Sequence, residues 1–275
     1  MLQKHIHRRV PETFKPHLCE DYAMTGKIIS IHSFRGGTGK SNITANIAAC
    51  IASKGNRVGV IDTDIQSPGI HVIFGFDESS INESLNDYLW GRCAVKDIAY
   101  DVTSSVGLKN GELYFIPSSM KLGEIARILR EGYDAELLNA GLKKVMSIFE
   151  IDYLFIDTHP GLNEETLISA AISDVFIIVL RPDNQDYQGT SISLEVARRI
   201  GITCTSLVVN KIPGSYDPAE VRTRIEEAYG CGVIGAIPLS EDIAKTGSKE
   251  VFMLKHPDHS FSDAIREISE HIMKN

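Results

Sequence analysis

The 275-residue sequence predicts an α/β fold, a single domain with a mainly parallel, twisted sheet flanked by helices on both faces. Three observations carry this. Apolar runs of strand length recur along the chain, segments of helical period lie between most of them, and a glycine-rich loop joins the first run to the first helical segment. Such alternation builds right-handed βαβ units, whose helices cover the sheet from two sides.

Residues 1–26 show neither period and mix Lys4, Arg8, Arg9 and Lys15 with three histidines and two prolines. They are expected to form a flexible N-terminal extension, leaving 27–275 as the domain. Residues 27–32 (KIISIH) read as a short buried strand, and 41–53 as a helix with Ile43, Ile47, Ala48 and Ile51 on one face. Further strands are expected over 58–62, 113–116, 153–157, 175–180, 206–210 and 233–237. Helices are expected over 134–149, 164–172, 191–200 and 218–229. Residues 261–274 form a last amphipathic helix with Phe261, Ile265, Ile268 and Ile272 on one face. In such a sheet, functional residues gather at the carboxyl ends of the strands.

Composition narrows the function classes. With 43% hydrophobic residues the chain can bury a full core, and its net charge of -8 argues against a surface built wholly for nucleic acid, while leaving room for a local basic patch. Cysteines 19, 50, 93, 204 and 231 form no CxxC pair, a spacing that suits a reducing cytosol rather than a disulfide or cluster framework. The opening MLQKHIHRRV lacks the apolar stretch of a signal peptide, and the longest strongly apolar run, 175–180, has only a strand's length. A cytoplasmic location is expected.

The most informative segment is SFRGGTGKSN, residues 33–42. In a standard phosphate-binding loop a glycine lies six residues before the lysine, and here that place is Phe34. The rest is intact. Gly36, Gly37 and Gly39 allow positive φ or close backbone approach to an anion, Lys40 supplies charge, and Ser41 offers a hydroxyl suited to Mg2+. The following helix places its N-terminal amides and dipole against the phosphate.

Two later strands end in carboxylates. Asp62 and Asp64 close the strand over 58–62 one residue apart, and Asp157 closes the strand over 153–157, followed by Thr158-His159-Pro160-Gly161. One such aspartate alone can equally cap the next helix. Three beside a phosphate loop match the way nucleotide-hydrolysing enzymes hold the Mg2+ that bridges phosphates.

On these residues the chain resembles the MinD/ParA family of P-loop ATPases, also called deviant Walker A ATPases, over roughly residues 27 to 274. The family's Lys-Gly-Gly-x-Gly-Lys-Ser/Thr loop is matched by Arg35-Gly36-Gly37-Thr38-Gly39-Lys40-Ser41, except at its first position. Asp62 and Asp64 match its switch I, and Asp157 to Gly161 match its switch II Asp-x-x-x-Gly. The resemblance implies ATP as substrate, with Gly36, Gly37, Thr38, Gly39, Lys40, Ser41, Asn42 and the Gly161 amide on the nucleotide. It also implies Mg2+ near Ser41, Asp62 and Asp157, and Asp64 orienting the attacking water. Asn210 and Pro238 resemble adenine-side segments; Ile212 and Pro213 follow Asn210-Lys211 where guanine readers carry an acidic acceptor. Lys40, Asp64 and Arg35 are the catalytic candidates. Arg35 either reaches the partner's phosphates across an ATP-bound homodimer, as the family's first lysine does, or binds a carboxylate in its own chain.

The resemblance further implies slow, partner-stimulated hydrolysis by a dimer that positions or partitions cargo through an activating or adaptor protein. The alternative is an ATP-binding regulatory or adaptor module with little or no hydrolysis. Asp263, Glu267 and Glu270 on the polar face of the last helix disfavour anionic lipid, so this helix is expected to dock on the domain rather than anchor directly to membrane. Arg198, Arg199, Arg222 and Arg224 leave non-specific DNA as a candidate surface and otherwise read as solvated helix faces.

Overall fold

The computed structural model describes residues 26–274, except the side chain of Glu164. The extension expected over 1–26 lies, apart from Gly26, outside the described residues. The first half runs β1 (Lys27–His32), α1 (Lys40–Ser53), β2 (Arg57–Asp62), a 3-10 turn (Ile70–Phe74), α2 (Leu85–Leu89), a second 3-10 turn (Val95–Ile98), β3 (Tyr100–Asp101), β4 (Glu112–Ile116), α3 (Leu122–Glu131), α4 (Ala135–Ile148) and β5 (Tyr153–Asp157). The second half runs α5 (Glu164–Ala171), β6 (Val175–Leu180), α6 (Asn184–Arg199), β7 (Thr205–Ile212), α7 (Pro218–Tyr229), β8 (Val233–Pro238), α8 (Glu241–Lys245), α9 (Phe252–Lys255) and α10 (Ser260–Lys274).

Among the described residues, eight strands form one sheet in the order β3-β4-β2-β5-β1-β6-β7-β8, and every pairing is parallel except that of β3 with β4. Alternation along β1 divides the core. Ile29 and Ile31 pack with Ile43, Ile47 and Ile51 of α1 and with Ile265, Ile268 and Ile272 of α10, whereas Ile28 packs on the opposite face with Leu138, Leu142 and Val145 of α4. On that same opposite face, α6 and α7 cover the other half of the sheet through Leu194, Ala197, Val221 and Ile225. Each of the Val, Leu and Ile side chains among these contributes about 1.5–3 kcal/mol when fully buried. The apolar face of α10, Phe261 included, is thus docked on the domain, as its sequence predicts.

Helix α6 begins seven residues before the expected start at 191. Gln185, Gln188 and Gly189 carry no apolar period, yet the Asp183 side chain accepts from the amides of Gln185 and Asp186 and caps the helix there. The helices α2, α3, α8 and α9 were not expected either. Three of them have only four or five residues, too few for a period to show; α3 carries Leu122, Ile125, Ala126 and Leu129 at helical spacing, a period the sequence reading passed over, and leaves Leu122 and Leu129 exposed.

The topology assembles the functional residues. Strand β5 lies between β1 and β2, and Asp157 is the register partner of both Ile31 and Asp62. The loop after β1 and the carboxylates ending β2 and β5 therefore meet at one sheet edge. At the end of β7 the register with β8 shifts between Val209 and Ile212, and Lys211 takes a left-handed φ of 58°. This irregularity turns Asn210 and Lys211 toward the same loop.

Candidate active site

The glycine-rich loop is shaped by backbone conformation. Gly37 and Gly39 have φ of 80° and 92°, values at which a Cβ would be strained, and a Cβ on Gly39 would stand 2.5 Å from Asn210 Nδ2. Two long-range donors hold the loop from below. Asn210 Nδ2 donates to the Thr38 carbonyl at 2.8 Å, and Lys211 Nζ donates to the Gly37 carbonyl at 2.7 Å. Burial, with Arg181 nearby, lowers the Lys211 pKa.

Phe34, the residue in place of the usual glycine, has its own accommodation. Its ring lies against Gly189 in α6, where any Cβ would collide with it. Sequence reasoning did not pick out Gly189, which lies before the helix expected over 191–200, so no local signal marked it.

Helix α1 starts at Lys40 with Gly39 as its N-cap, so no side chain caps its first amides and no acidic residue lies in its first turn. Such an end is open to an anion. Lys40, buried, forms an ion pair with Asp157 Oδ1 at 2.8 Å, while Ser41 Oγ donates to Asp157 Oδ2 at 2.6 Å and Thr44 Oγ1 to Oδ1 at 3.0 Å. The loop's cation and hydroxyl thus converge on the carboxylate that ends β5.

Asp62 is fully buried. Its Oδ1 accepts from the Asp64 amide at 2.9 Å, and its Oδ2 has no hydrogen-bond partner among the described residues. Burial, reinforced by the Asp157 and Asp64 carboxylates and opposed by Lys40, raises its pKa well above the ordinary carboxylate value. A buried, partnerless carboxylate oxygen beside two more carboxylates and a serine hydroxyl is a place where a hard cation fits. Among the described residues no three His, Cys, Asp or Glu side chains form a metal cage. Mg2+ binds through one or two carboxylates, with water and phosphate oxygens completing its octahedron, and the Asp62, Asp157 and Ser41 oxygens suit that mode.

Asp64 lies just past β2, its Oδ1 meeting His159 Nδ1 at 2.6 Å and the Ser67 amide at 3.1 Å. The Gly161 amide donates to the Ser33 carbonyl at 3.0 Å, so switch II is latched onto the glycine loop in this structure. His32, fully buried, ends β1 beneath these loops; burial, then Lys40 and His159, push its pKa down to about 3, and it is neutral.

Arg35 is partly exposed. Its Nη1 stands 3.5 Å from Asp183 Oδ1 and 3.4 Å from Asp186 Oδ1, long contacts within its own chain. Beside the loop, Gly39, Asn42, Ile43, Asn210, Pro238 and Phe261 line part of a cavity of ≈ 230 Å³ that is more apolar than polar. The structure so brings the loop, the three aspartates, Gly161, Asn210 and Pro238 to one edge of the sheet, with Arg35 at the rim.

A family model described as an AAA domain matches residues 26–206. Among curated proteins, the chain is 29% identical over 242 residues to an uncharacterized ATP-binding protein of Methanocaldococcus jannaschii, covering 88% of this chain and 85% of that one. It is 26% identical over 267 residues to an iron-sulfur cluster carrier protein of Saccharolobus solfataricus, covering 90% and 82%. Among solved structures, the septum site-determining protein MinD of Pyrococcus horikoshii, complexed with Mg-ADP, shares the fold with a TM-score of 0.76 at 21% identity, over 90% of this chain and 96% of that one.

Proposed function

The chain belongs to the MinD/ParA family of P-loop ATPases, and from that membership we propose that it is a Mg2+-dependent, ATP-hydrolysing switch that dimerises on ATP and positions or partitions a cellular cargo. The observation that carries this reading is the meeting of Lys40, Ser41 and Asp157 beside Asp62, whose Oδ2 lacks a partner.

In this reading the amides of residues 36–42 and Lys40 hold the phosphates. Lys40 exchanges its pairing with Asp157 for the phosphates, and Asp157 is then available, with Ser41 and Asp62, to hold Mg2+. Bound there, the ion neutralises charge on the phosphate oxygens. Asp64 orients the attacking water. The cavity beside Asn210 and Pro238 receives adenine, and the Gly161 amide exchanges the Ser33 carbonyl for the terminal phosphate, which couples switch II to the nucleotide state. Arg35 leaves its long contacts with Asp183 and Asp186 to reach the partner's phosphates, where a guanidinium makes forked contacts. Hydrolysis is slow and is stimulated by an activating or adaptor protein in the cytoplasm. Non-specific DNA is one surface on which the dimer can act, and α10, with its apolar face already buried, does not serve as a membrane anchor.

Phosphate release by wild type, Arg35→Ala and Asp64→Ala tests the reading: turnover is expected only in wild type. Asp64→Ala with ATP should accumulate as a dimer in light scattering. ATP binding without turnover under any partner condition would overturn the switch. Arg35's contacts within its own chain favour a second reading in that case, an ATP-binding regulatory module with little or no hydrolysis.

A further inference from the structure

The Asp62–Asp157 register pair does not end the association of β2 with β5. Past the strand ends, the Thr63 amide donates to the Asp157 carbonyl at 3.0 Å, its hydroxyl donates to the same oxygen at 3.1 Å, and one step further His159 Nδ1 meets Asp64 Oδ1 at 2.6 Å. The two loops are therefore laced together for two residues beyond the sheet, and the outermost tie joins two polar side chains. Asp64 is nearly buried and His159 is mostly so. The His159 backbone is itself braced, because its carbonyl accepts from Thr166 Oγ1 at 3.2 Å at the start of α5. A carboxylate held by a hydrogen-bonded histidine on a braced backbone has little freedom to rotate about its last bond.

Among the described residues, both hydrogen bonds to the Asp64 carboxylate, from His159 and from the Ser67 amide, fall on Oδ1. That leaves Oδ2 as the oxygen to accept from a water. We propose that His159 is a positioning residue for hydrolysis: its Nδ1–H fixes Asp64 through Oδ1 so that Oδ2 aligns the attacking water. The inference rests on the ATPase reading above. In the step it serves, the water oxygen bonds to the terminal phosphorus. The bond from that phosphorus to the β–γ bridging oxygen breaks, its electron pair leaving with ADP. One water proton passes to a phosphate oxygen, and ADP and inorganic phosphate result. His159 touches neither phosphate nor water and acts through Asp64 alone.

The geometry makes a discriminating set of variants available. In His159→Asn an amide nitrogen can occupy the place of Nδ1, whereas in His159→Gln the amide lies one bond further out, and in His159→Ala the donor is lost. Single-turnover hydrolysis with enzyme in excess, together with titration of a fluorescent ATP analogue, reads chemistry and binding separately. His159→Ala should lower the single-turnover rate by roughly 10–100-fold, the range in which orienting partners act elsewhere, with nucleotide affinity unchanged. His159→Asn should recover most of that loss and His159→Gln little of it.

An unchanged rate in His159→Ala, equal losses in the Asn and Gln variants, or a rate loss matched by a loss of affinity would each overturn the positioning role while leaving the ATPase reading in place. A wild type that binds ATP and shows no single-turnover hydrolysis under any partner condition would overturn both. Thermal melts of each variant identify any that has lost its fold, and for those the Asn-against-Gln comparison decides.

Discussion

Replacing Asp62 by asparagine should stabilise the nucleotide-free protein while removing its response to Mg2+. Asp62 Oδ1 accepts from the Asp64 amide, a bond that an asparagine carbonyl retains, whereas Oδ2 has no partner and faces the field of Asp157 and Asp64. An amide nitrogen in its place offers donors to those neighbours. Leaving a buried polar atom unsatisfied costs about 1–3 kcal/mol, more when it is charged, so Asp62→Asn should gain about that much at neutral pH. For a domain of this size that is about 2–4 °C in Tm per kcal/mol. The pH dependence has a definite sign. Because the folded-state pKa of Asp62 is raised, its protonated form favours folding, and wild type loses that stability as pH rises through the folded value. The variant has no such proton, so the gap between the two should widen from pH 5 to pH 8.5. Melts by circular dichroism in EDTA without nucleotide measure it. Added Mg2+ and ATP should then reverse the order, since ligand at 1,000 times Kd contributes about 4.1 kcal/mol to wild type alone. If Asp62→Asn melts lower than wild type in EDTA at neutral pH, or the gap does not change with pH, the assignment of Asp62 as a carboxylate waiting for a cation is wrong.

Gly189→Ala, remote from any phosphate, should weaken ATP binding by displacing Phe34 and with it the loop, at an overpacking cost of about 1–3 kcal/mol; nucleotide titration checks it, and Phe34→Leu in the same chain should restore part of the affinity. Gly39→Ala should cost about 1–2 kcal/mol from its left-handed φ alone, and more because its Cβ would push on Asn210; unchanged ATP affinity and Tm would show that the loop is less constrained than its geometry indicates. His32, with a pKa of about 3 when folded, contributes stability that is present above pH 6.5 and lost as pH falls toward 3. Urea midpoints of His32→Gln should therefore fall less steeply than those of wild type between pH 7 and pH 4, and parallel slopes would count against a buried neutral imidazole.

Strands β1, β5 and β6 occupy the residues their apolar runs predict. A strand buried on both faces must be apolar at nearly every position, which a short window of sequence displays without reference to the rest of the chain. The glycine loop was equally legible, since positive φ and close approach to an anion restrict residue type locally. Short helices and the true start of α6 were not legible, because a side-chain cap and a packing partner, rather than period, decide them.

The sequence by itself determined the class of fold and the phosphate loop, with the aspartates at the strand ends; each depends on residues within a few positions of one another. Only the tertiary structure decided which of these groups touch. Phe34 is tolerated because Gly189 leaves it room, Asn210 holds the loop from 172 residues away, and His159 meets Asp64 across 95 residues. Such pairs arise from strand order, which places β5 between β1 and β2 and sets β6 and β7 on the other side of β1, and neighbours along the chain carry no trace of it.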